Sequence, residues 1–472
     1  MTAAWSARAT DLAGRLSLPV VVLLWAALSL PNLGLRAFYF EEGRNAMHAM
    51  SLLEGGRWFA DSVAGERFVV RLPLQTWGVA GFAAIVGGVN EWAVRLPALA
   101  AVLATLIVVY RVVRDAVGTV PAAFAALSLL TSVGIIQRLR LGEPDTPIMA
   151  LSFVAFAVWF GGIRRGRVAP WRWLLCGLIM AAVCGYKGPQ PCAYFLAGAG
   201  MFALIRRRRA DLPGLATAAL FPVAAFAAWF AVTREADDLA LWLAEFRLRQ
   251  VSGLPQGGVA DHARFAAQVL IEWLPPLLLA APLWWRMLRS PERAQDLPLA
   301  LLLYAATVTL VLVAWPGARA RYALPALPAV AAAAGLGFHA LRDVQPRLLA
   351  AAVTIGAGVA AYQLVLVVGV MTLMPDPFTR NRDAARAIAG ALAERPAPVL
   401  MVFPAHNVAA YLGAGVEAVP QASASTRPGP AWLLGVDAQI AALRRADPRI
   451  EPAVPLPVAT SPPLALARLA PR

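Results

Sequence analysis

The sequence predicts an all-α polytopic membrane protein with a small α/β unit at its C-terminal end, and three observations carry that expectation. The first is composition: 60% of the 472 residues are apolar and only 15% are charged, whereas a soluble domain carries about 45–50% apolar and ~25% charged residues. The second is a series of apolar runs long enough to cross a hydrocarbon layer of ~30 Å. The third is the placing of arginine, which clusters in every second connection as cytoplasmic loops require. A soluble globular chain and a disordered one are both excluded.

The apolar runs lie at about 17–34, 92–113, 118–136, 147–163, 171–186, 189–205, 214–232, 265–287, 297–315, 322–341 and 347–372, which makes about eleven spans. A further run, Leu72 to Val89, is interrupted by Pro73, Gln75 and several glycines, so it reads as a span or as a helix lying in the interface. Charge decides between them. With that run flat and Arg8 and Arg15 cytoplasmic, the clusters at Arg111 and Arg114, Arg164 to Arg167, Arg206 to Arg209, Arg286 to Arg293, and Arg342 and Arg347 all fall inside. Counted as a span, it would force the four consecutive arginines from Arg206 across the membrane. The interfacial reading therefore accounts for most of the formal net charge of +15 without a nucleic-acid partner.

On that topology the opposite, external face holds a long first loop (36–95), a loop from Gln137 to Thr146, the turn at Lys187, a loop from Thr233 to Arg264 and a turn from Pro316 to Arg321. From Pro375 onward hydropathy falls. Two short apolar runs, Val399 to Phe403 and Trp432 to Gly435, alternate with helical stretches near Arg382 to Glu394 and Asp437 to Arg444, as in a small α/β unit. The expected organisation is a transmembrane module over 1–374 and a small external domain over 375–472. The first run is long and lacks a small-residue cleavage site, so no cleavable signal peptide is expected. Cys176, Cys184 and Cys192 lie in or beside apolar segments and read as core residues rather than a disulfide framework or a metal site.

The candidate chemistry sits on the external face. Glu41 and Glu42 follow the first span directly, and adjacent carboxylates at a membrane boundary are costly unless something pairs or uses them. Arg44 is near enough to pair one of them, although acids at a helix start are also favoured by the helix dipole. Asp145 opens the span that begins near Thr146-Pro147 and reads equally as a helix-starting residue. Lys187 is the only lysine in the chain, which suggests a use for a compact ammonium, such as meeting a phosphate at the membrane surface. Arg319 and Arg321, before Tyr322, break the positive-inside trend and point to an anionic ligand. The segment Trp242 to Gln250, with Glu245, Phe246, Arg247 and Arg249, has the rhythm of an interfacial helix.

These pieces resemble, in order, the GT-C membrane glycosyltransferases that include the lipid A aminoarabinose transferase, the protein O-mannosyltransferases and the rhizobial galacturonosyltransferases. Glu41-Glu42-Gly43-Arg44 is similar to that family's Asp-Glu-Gly-Arg signature. Gly55-Gly56-Arg57-Trp58, Arg71-Leu72-Pro73-Leu74 with Trp77, Val89-Asn90-Glu91 before Arg95-Leu96-Pro97, Asp145, Lys187-Gly188-Pro189, Glu245 to Arg249, and Arg321-Tyr322-Ala323-Leu324-Pro325 follow. The resemblance runs over about 36–330 and implies a polyprenyl-phosphate monosaccharide donor, a lipid, glycan or protein acceptor, and inverting transfer outside the cytoplasmic membrane. By the same resemblance Glu41 stands at the catalytic aspartate, Asp145 at a second active-site acid, and Lys187, Arg249 and Arg71 at cations that meet the donor phosphate. Glu42 is carried as a further candidate acid, and Arg44, Arg321 and Tyr322 as acceptor or donor contacts. Two departures bear on acceptor geometry: Glu41 is one methylene longer than aspartate, and Phe246 replaces a common histidine.

The chemistry fits on its own grounds, because a sugar leaving a phosphate needs a base for the attacking hydroxyl and cations for the charge growing on the phosphate. No metal and no cofactor is required by this set. The competing reading is a polytopic lipid or solute transporter, which would place ionisable residues near mid-membrane and often carry an internal repeat. No convincing repeat is present, and the acids cluster at one boundary.

Overall fold

The computed structural model describes residues 17–55, 58–59, 61–68, 72–233, 240, 243–244, 258–289, 295–314, 318–342, 344–374, 380–424, 426–456 and 463–471. The helical part begins with α1 (Ser17–Ser29), α2 (Glu42–Gly55), a hairpin of β1 (Asp61–Val63) and β2 (Glu66–Phe68), and α3 (Leu74–Val86). It continues through α4 (Glu91–Val117), α5 (Thr119–Leu130), α6 (Val133–Arg138), α7 (Asp145–Ile163), α8 (Pro170–Lys187), α9 (Cys192–Ile205) and α10 (Leu212–Thr233). Then come α11 (Val259–Glu272), α12 (Leu277–Arg289), α13 (Asp296–Ala314), a 3-10 turn (Ala320–Ala326) leading into α14 (Leu327–Leu341), and α15 (Pro346–Leu364). This is a membrane protein, and its apolar helices follow the expected runs closely.

By length and composition, six helices among the described residues can cross a membrane, or seven if the pair α11 and α12, bent by 110°, is one crossing. The expected count of eleven is therefore not reached on those criteria. The helices α1, α3, α5 and α9 are apolar but shorter. At 1.5 Å per residue the 13 residues of α3 extend about 20 Å, short of the ~30 Å hydrocarbon layer. The run from 118 breaks at Thr131 into α5 and α6, and the run from 265 breaks at Trp273 to Pro276, where two prolines interrupt the helical ladder.

The ends of these elements are encoded locally. Asn90 caps α4 by accepting from the Ala93 N–H at 3.0 Å, and Gly87 ends α3 with φ of 82°. The principal core is built from the buried faces of α4, α5, α7, α8, α9, α13 and α14, with Phe153, Phe156, Trp159, Phe195 and Phe202 at its centre.

The C-terminal part comprises α16 (Asn381–Glu394), β3 (Val399–Met401), α17 (His406–Ala409), β4 (Val416–Ala418), β5 (Ala431–Val436), α18 (Asp437–Ala446), β6 (Val454–Pro455) and β7 (Leu464–Leu469). Its strands form one sheet in the order β4-β3-β5-β7-β6. The pairs β3 with β4 and β3 with β5 are parallel, whereas β7 pairs antiparallel with β5 and β6.

This α/β unit shares a core with the first loop: Phe38, Met47, Leu52 and Val63 cluster with Ile388, Met401, Val408 and Trp432. Polar ties reinforce the contact. Arg382 donates to Glu91 at 2.5 Å and to the Gly34 carbonyl at 2.9 Å, and the Tyr411 hydroxyl donates to Glu91 at 2.5 Å. A Cβ on Gly43 would lie 2.5 Å from the His406 carbonyl oxygen, so only glycine lets α2 approach α17 this closely.

Candidate active site

The site forms where the first loop, the connection from α6 to α7, the end of α8 and the 3-10 turn before α14 meet. Phe40 precedes it in a left-handed conformation, φ 50°, and its carbonyl accepts from the Asn407 side chain at 3.0 Å. That turn sends the next two carboxylates to different places. Arg44 donates to Glu41 at 2.7 Å, and Glu41 also receives Arg321 at 3.3 Å. Its side chain is 21% exposed, enough to meet a substrate.

Glu42 goes inward. Its side chain is fully buried and Arg95, 1% exposed, binds it with both arms at 2.8 and 2.7 Å. The backbone N–H groups of Tyr39 and Gly142 complete its shell, each at 3.0 Å. Burial alone would raise this carboxyl, but Arg95, Arg36 and the Gly142 N–H hold it below the ordinary carboxylate range. Of the two carboxylates that Arg44 could pair, it meets Glu41, and Glu42 pairs with Arg95. No surface of Glu42 is left for a substrate atom.

Gly142 reaches Glu42 because it lacks a side chain. A Cβ there would stand 2.5 Å from the Val94 carbonyl oxygen, so this glycine lets the loop cross α4. The Gly142 carbonyl accepts from Asn45 at 2.8 Å and from Gln75 at 3.3 Å, which locks the loop onto α2 and α3. Nearby, burial with Arg36 and Arg95 lowers the Arg140 guanidinium to about 10. Arg140 donates to the carbonyls of Ser29 and Pro31 at 3.0 and 2.7 Å, tying the loop to the end of α1.

Asp145 and Lys187 are brought together: the ammonium donates to the carboxylate at 2.5 Å and lies 3.7 Å from the centre of the Tyr322 ring. Arg321 stands at the hub. Its guanidinium donates to Glu143 at 3.0 Å and lies 3.3 Å from Glu41 and 3.7 Å from Asp145. Burial and the neighbouring Asp145 raise the Glu143 carboxyl, and Arg321 opposes them. A second buried pair, Arg138 with Glu272 at 2.9 Å, joins α6 to α11 beside it.

The structure therefore assembles Glu41, Asp145, Lys187, Arg321, Tyr322 and Arg44, and sets Glu42 apart. Arg71 and Arg249, with Glu245 to Arg247, lie outside the described residues. Glu143, Arg95 and the Arg138–Glu272 pair were not singled out from sequence. Arg95 belongs to the Arg95-Leu96-Pro97 motif and Glu143 to the charged loop before Asp145, but their partners are remote in sequence. Among the described residues no three His, Cys, Asp or Glu side chains are arranged to hold a metal ion, and the three carboxylates here converge on a guanidinium instead. A cleft of about 290 Å³ opens beside Arg44, lined by His406, Met401, Phe403 and Val419 from the α/β unit.

The fold can be set against solved structures. It matches the crystal structure of ArnT from Cupriavidus metallidurans bound to undecaprenyl phosphate with a TM-score of 0.73 and 16% identity, covering 97% of this chain and 98% of that one. The chain has the GT-C glycosyltransferase fold. The apo form of the same ArnT matches equally, with a TM-score of 0.73 at 16% identity over 98% of this chain and 100% of that one. An oligosaccharyltransferase from Archaeoglobus fulgidus matches at a TM-score of 0.52 and 13% identity, over 86% of this chain and 64% of that one. A family model described as dolichyl-phosphate-mannose-protein mannosyltransferase matches residues 71–231, roughly a third of the chain. No curated protein matches the sequence. The resemblance drawn from the motifs and the likeness of the whole fold point to the same group.

Proposed function

We propose that the protein transfers a monosaccharide from a polyprenyl-phosphate donor to a lipid, glycan or protein acceptor at the external face of the cytoplasmic membrane, by direct inverting displacement. The observation that carries this reading is the convergence of Glu41, Asp145, Lys187 and Arg321, from four separate segments, on one partly exposed site. The acceptor oxygen attacks the anomeric carbon while the bond from that carbon to the phosphate oxygen breaks, its electron pair leaving with the polyprenyl phosphate. Glu41 takes the acceptor's proton. Lys187, with Arg71 and Arg249, stabilises the charge that grows on the phosphate, and Asp145 holds Lys187 in place. Arg44, Arg321 and Tyr322 border the reacting groups.

A transporter is the less favoured alternative, because its ionisable residues would lie near mid-helix, whereas Asp145 opens α7 and Lys187 closes α8. On this reading the first loop, Lys187 and the α/β unit are periplasmic or external and the arginines from Arg206 to Arg209 cytoplasmic. Comparison of envelope glycolipids and glycoproteins from a deletion strain and its parent by mass spectrometry tests the proposal. Loss of one glycosyl substituent with accumulation of a lipid-linked sugar is expected, and an unchanged envelope would contradict it.

A further inference from the structure

The cluster around Arg321 holds one carboxylate more than the transfer reaction calls for. Glu143 is buried, with 4% of its side chain exposed, and takes one arm of the Arg321 guanidinium at 3.0 Å while the other arm reaches Glu41 at 3.3 Å. Its backbone is fixed independently of Arg321, between Gly142, which is locked to Glu42, Asn45 and Gln75, and Pro144, which leads into α7. A carboxylate facing an undivided guanidinium gives up much of its ability to take a proton, and one sharing that cation gives up less.

We propose that Glu143 is a positioning residue for the transfer step: by holding one arm of Arg321 it sets the angle of the other and limits the charge that Glu41 meets, so that Glu41 keeps the strength to accept the acceptor's proton. This rests on the glycosyl-transfer reading. The surrounding groups bound the effect. Arg44 meets Glu41 from α2, Lys187 meets Asp145 from α8, Arg138 from α6 pairs with Glu272 from α11, and Tyr194 from α9 faces Asp145. Tyr322 lies under Lys187, with Arg319 and Arg321 beside it. Asp145 already has its own cation in Lys187, so a change at Glu143 falls mainly on the Arg321–Glu41 contact.

The test uses the full chain in lipid nanodiscs, with total lipid extract from the deletion strain as the source of donor and acceptor. Release of polyprenyl phosphate is read by mass spectrometry across pH. Glu143→Gln should lower the plateau rate about three- to tenfold and move the acid limb of the profile to lower pH by about one unit, because Glu41 then meets more of the Arg321 charge. Glu143→Asp, which keeps the charge but shortens the arm, should move the limb the same way by less, and it serves alone if the glutamine variant is not recovered folded. A reduced rate with an unmoved acid limb in the folded variant would mean a structural role only and overturn the inference. A wild-type enzyme that releases no polyprenyl phosphate would overturn the glycosyl-transfer reading and this inference with it, a result plainly distinct from an active enzyme with an unmoved limb.

Discussion

Replacing Glu42 with Gln removes one charge from a pair that the fold hides completely, and the cost follows from the geometry. Glu42 accepts two hydrogen bonds from Arg95 and two from backbone N–H groups, so an amide would turn its own N–H donors toward other donors. Breaking one side of a buried pair costs about 3–5 kcal/mol because the remaining ion is left uncompensated. Arg95 also donates to the carbonyls of Leu33, Arg36 and Ala37, which places the expected cost near the lower end, about 3 kcal/mol. On that scale the unfolding midpoint of the purified protein falls on the order of 5 °C. Glu42→Gln, Arg95→Met and the double variant, compared by thermal unfolding, isolate the coupling, and the double variant should lose less than the sum of the two. Additive losses, or a Glu42→Gln midpoint within about 1 °C of wild type, would refute the assignment of Glu42 as the tie between the first loop and α4.

Lys187→Ala should weaken donor use at least tenfold, since on the proposed reading it removes a cation from the leaving phosphate and leaves Asp145 with Arg321 alone at 3.7 Å, while Lys187→Arg should restore it only in part because the planar fork does not sit where an ammonium sits. Polyprenyl-phosphate release by the purified variants measures this, and a wild-type rate in Lys187→Ala would exclude the phosphate role. His406 gives a pH prediction: burial and Arg44 lower its imidazole to about 4, below the unfolded value of about 6.5. The unfolded chain then takes up a proton that the folded chain refuses, so stability should fall as pH drops from about 6.5 to about 4. Glu42 adds a further loss only as pH falls through its own lowered value. Midpoints measured against pH should flatten in the upper window for His406→Gln, and an unchanged slope there would argue against the burial effect.

Much of this could be read before the structure, and what could not has a physical cause. Helices such as α4, α7, α8 and α10 lie within a few residues of the apolar runs, because hydrophobic length alone marks a long buried helix. The break between α11 and α12 escaped, since an apolar run looks the same in sequence whether the helix is straight or bent. How the residues beyond 375 meet the rest of the chain is likewise not written in the sequence. Falling hydropathy marked the α/β unit, but only tertiary contact shows that Arg382 and Tyr411 meet Glu91. Within the site, the signature named Glu41 and the neighbouring motifs named Asp145, Lys187 and Arg321. Which of two adjacent glutamates turns inward depends on the handedness of the Phe40 turn and on the Arg95 side chain 53 residues away, neither of which is written locally. Glu143 escaped for the same reason, as its meaning comes from Arg321, 178 residues on.

The central claim is that Glu41 takes the acceptor's proton, and turnover of Glu41→Gln tests it most directly. The substitution keeps the shape and removes the charge, and a positioned base contributes ~10²–10⁴-fold, so polyprenyl-phosphate release by the purified variant should fall by that factor while its unfolding midpoint and its binding of a polyprenyl phosphate stay near those of wild type. Near wild-type turnover in Glu41→Gln, beside an inactive but folded Asp145→Asn, would contradict the account and move the base to Asp145.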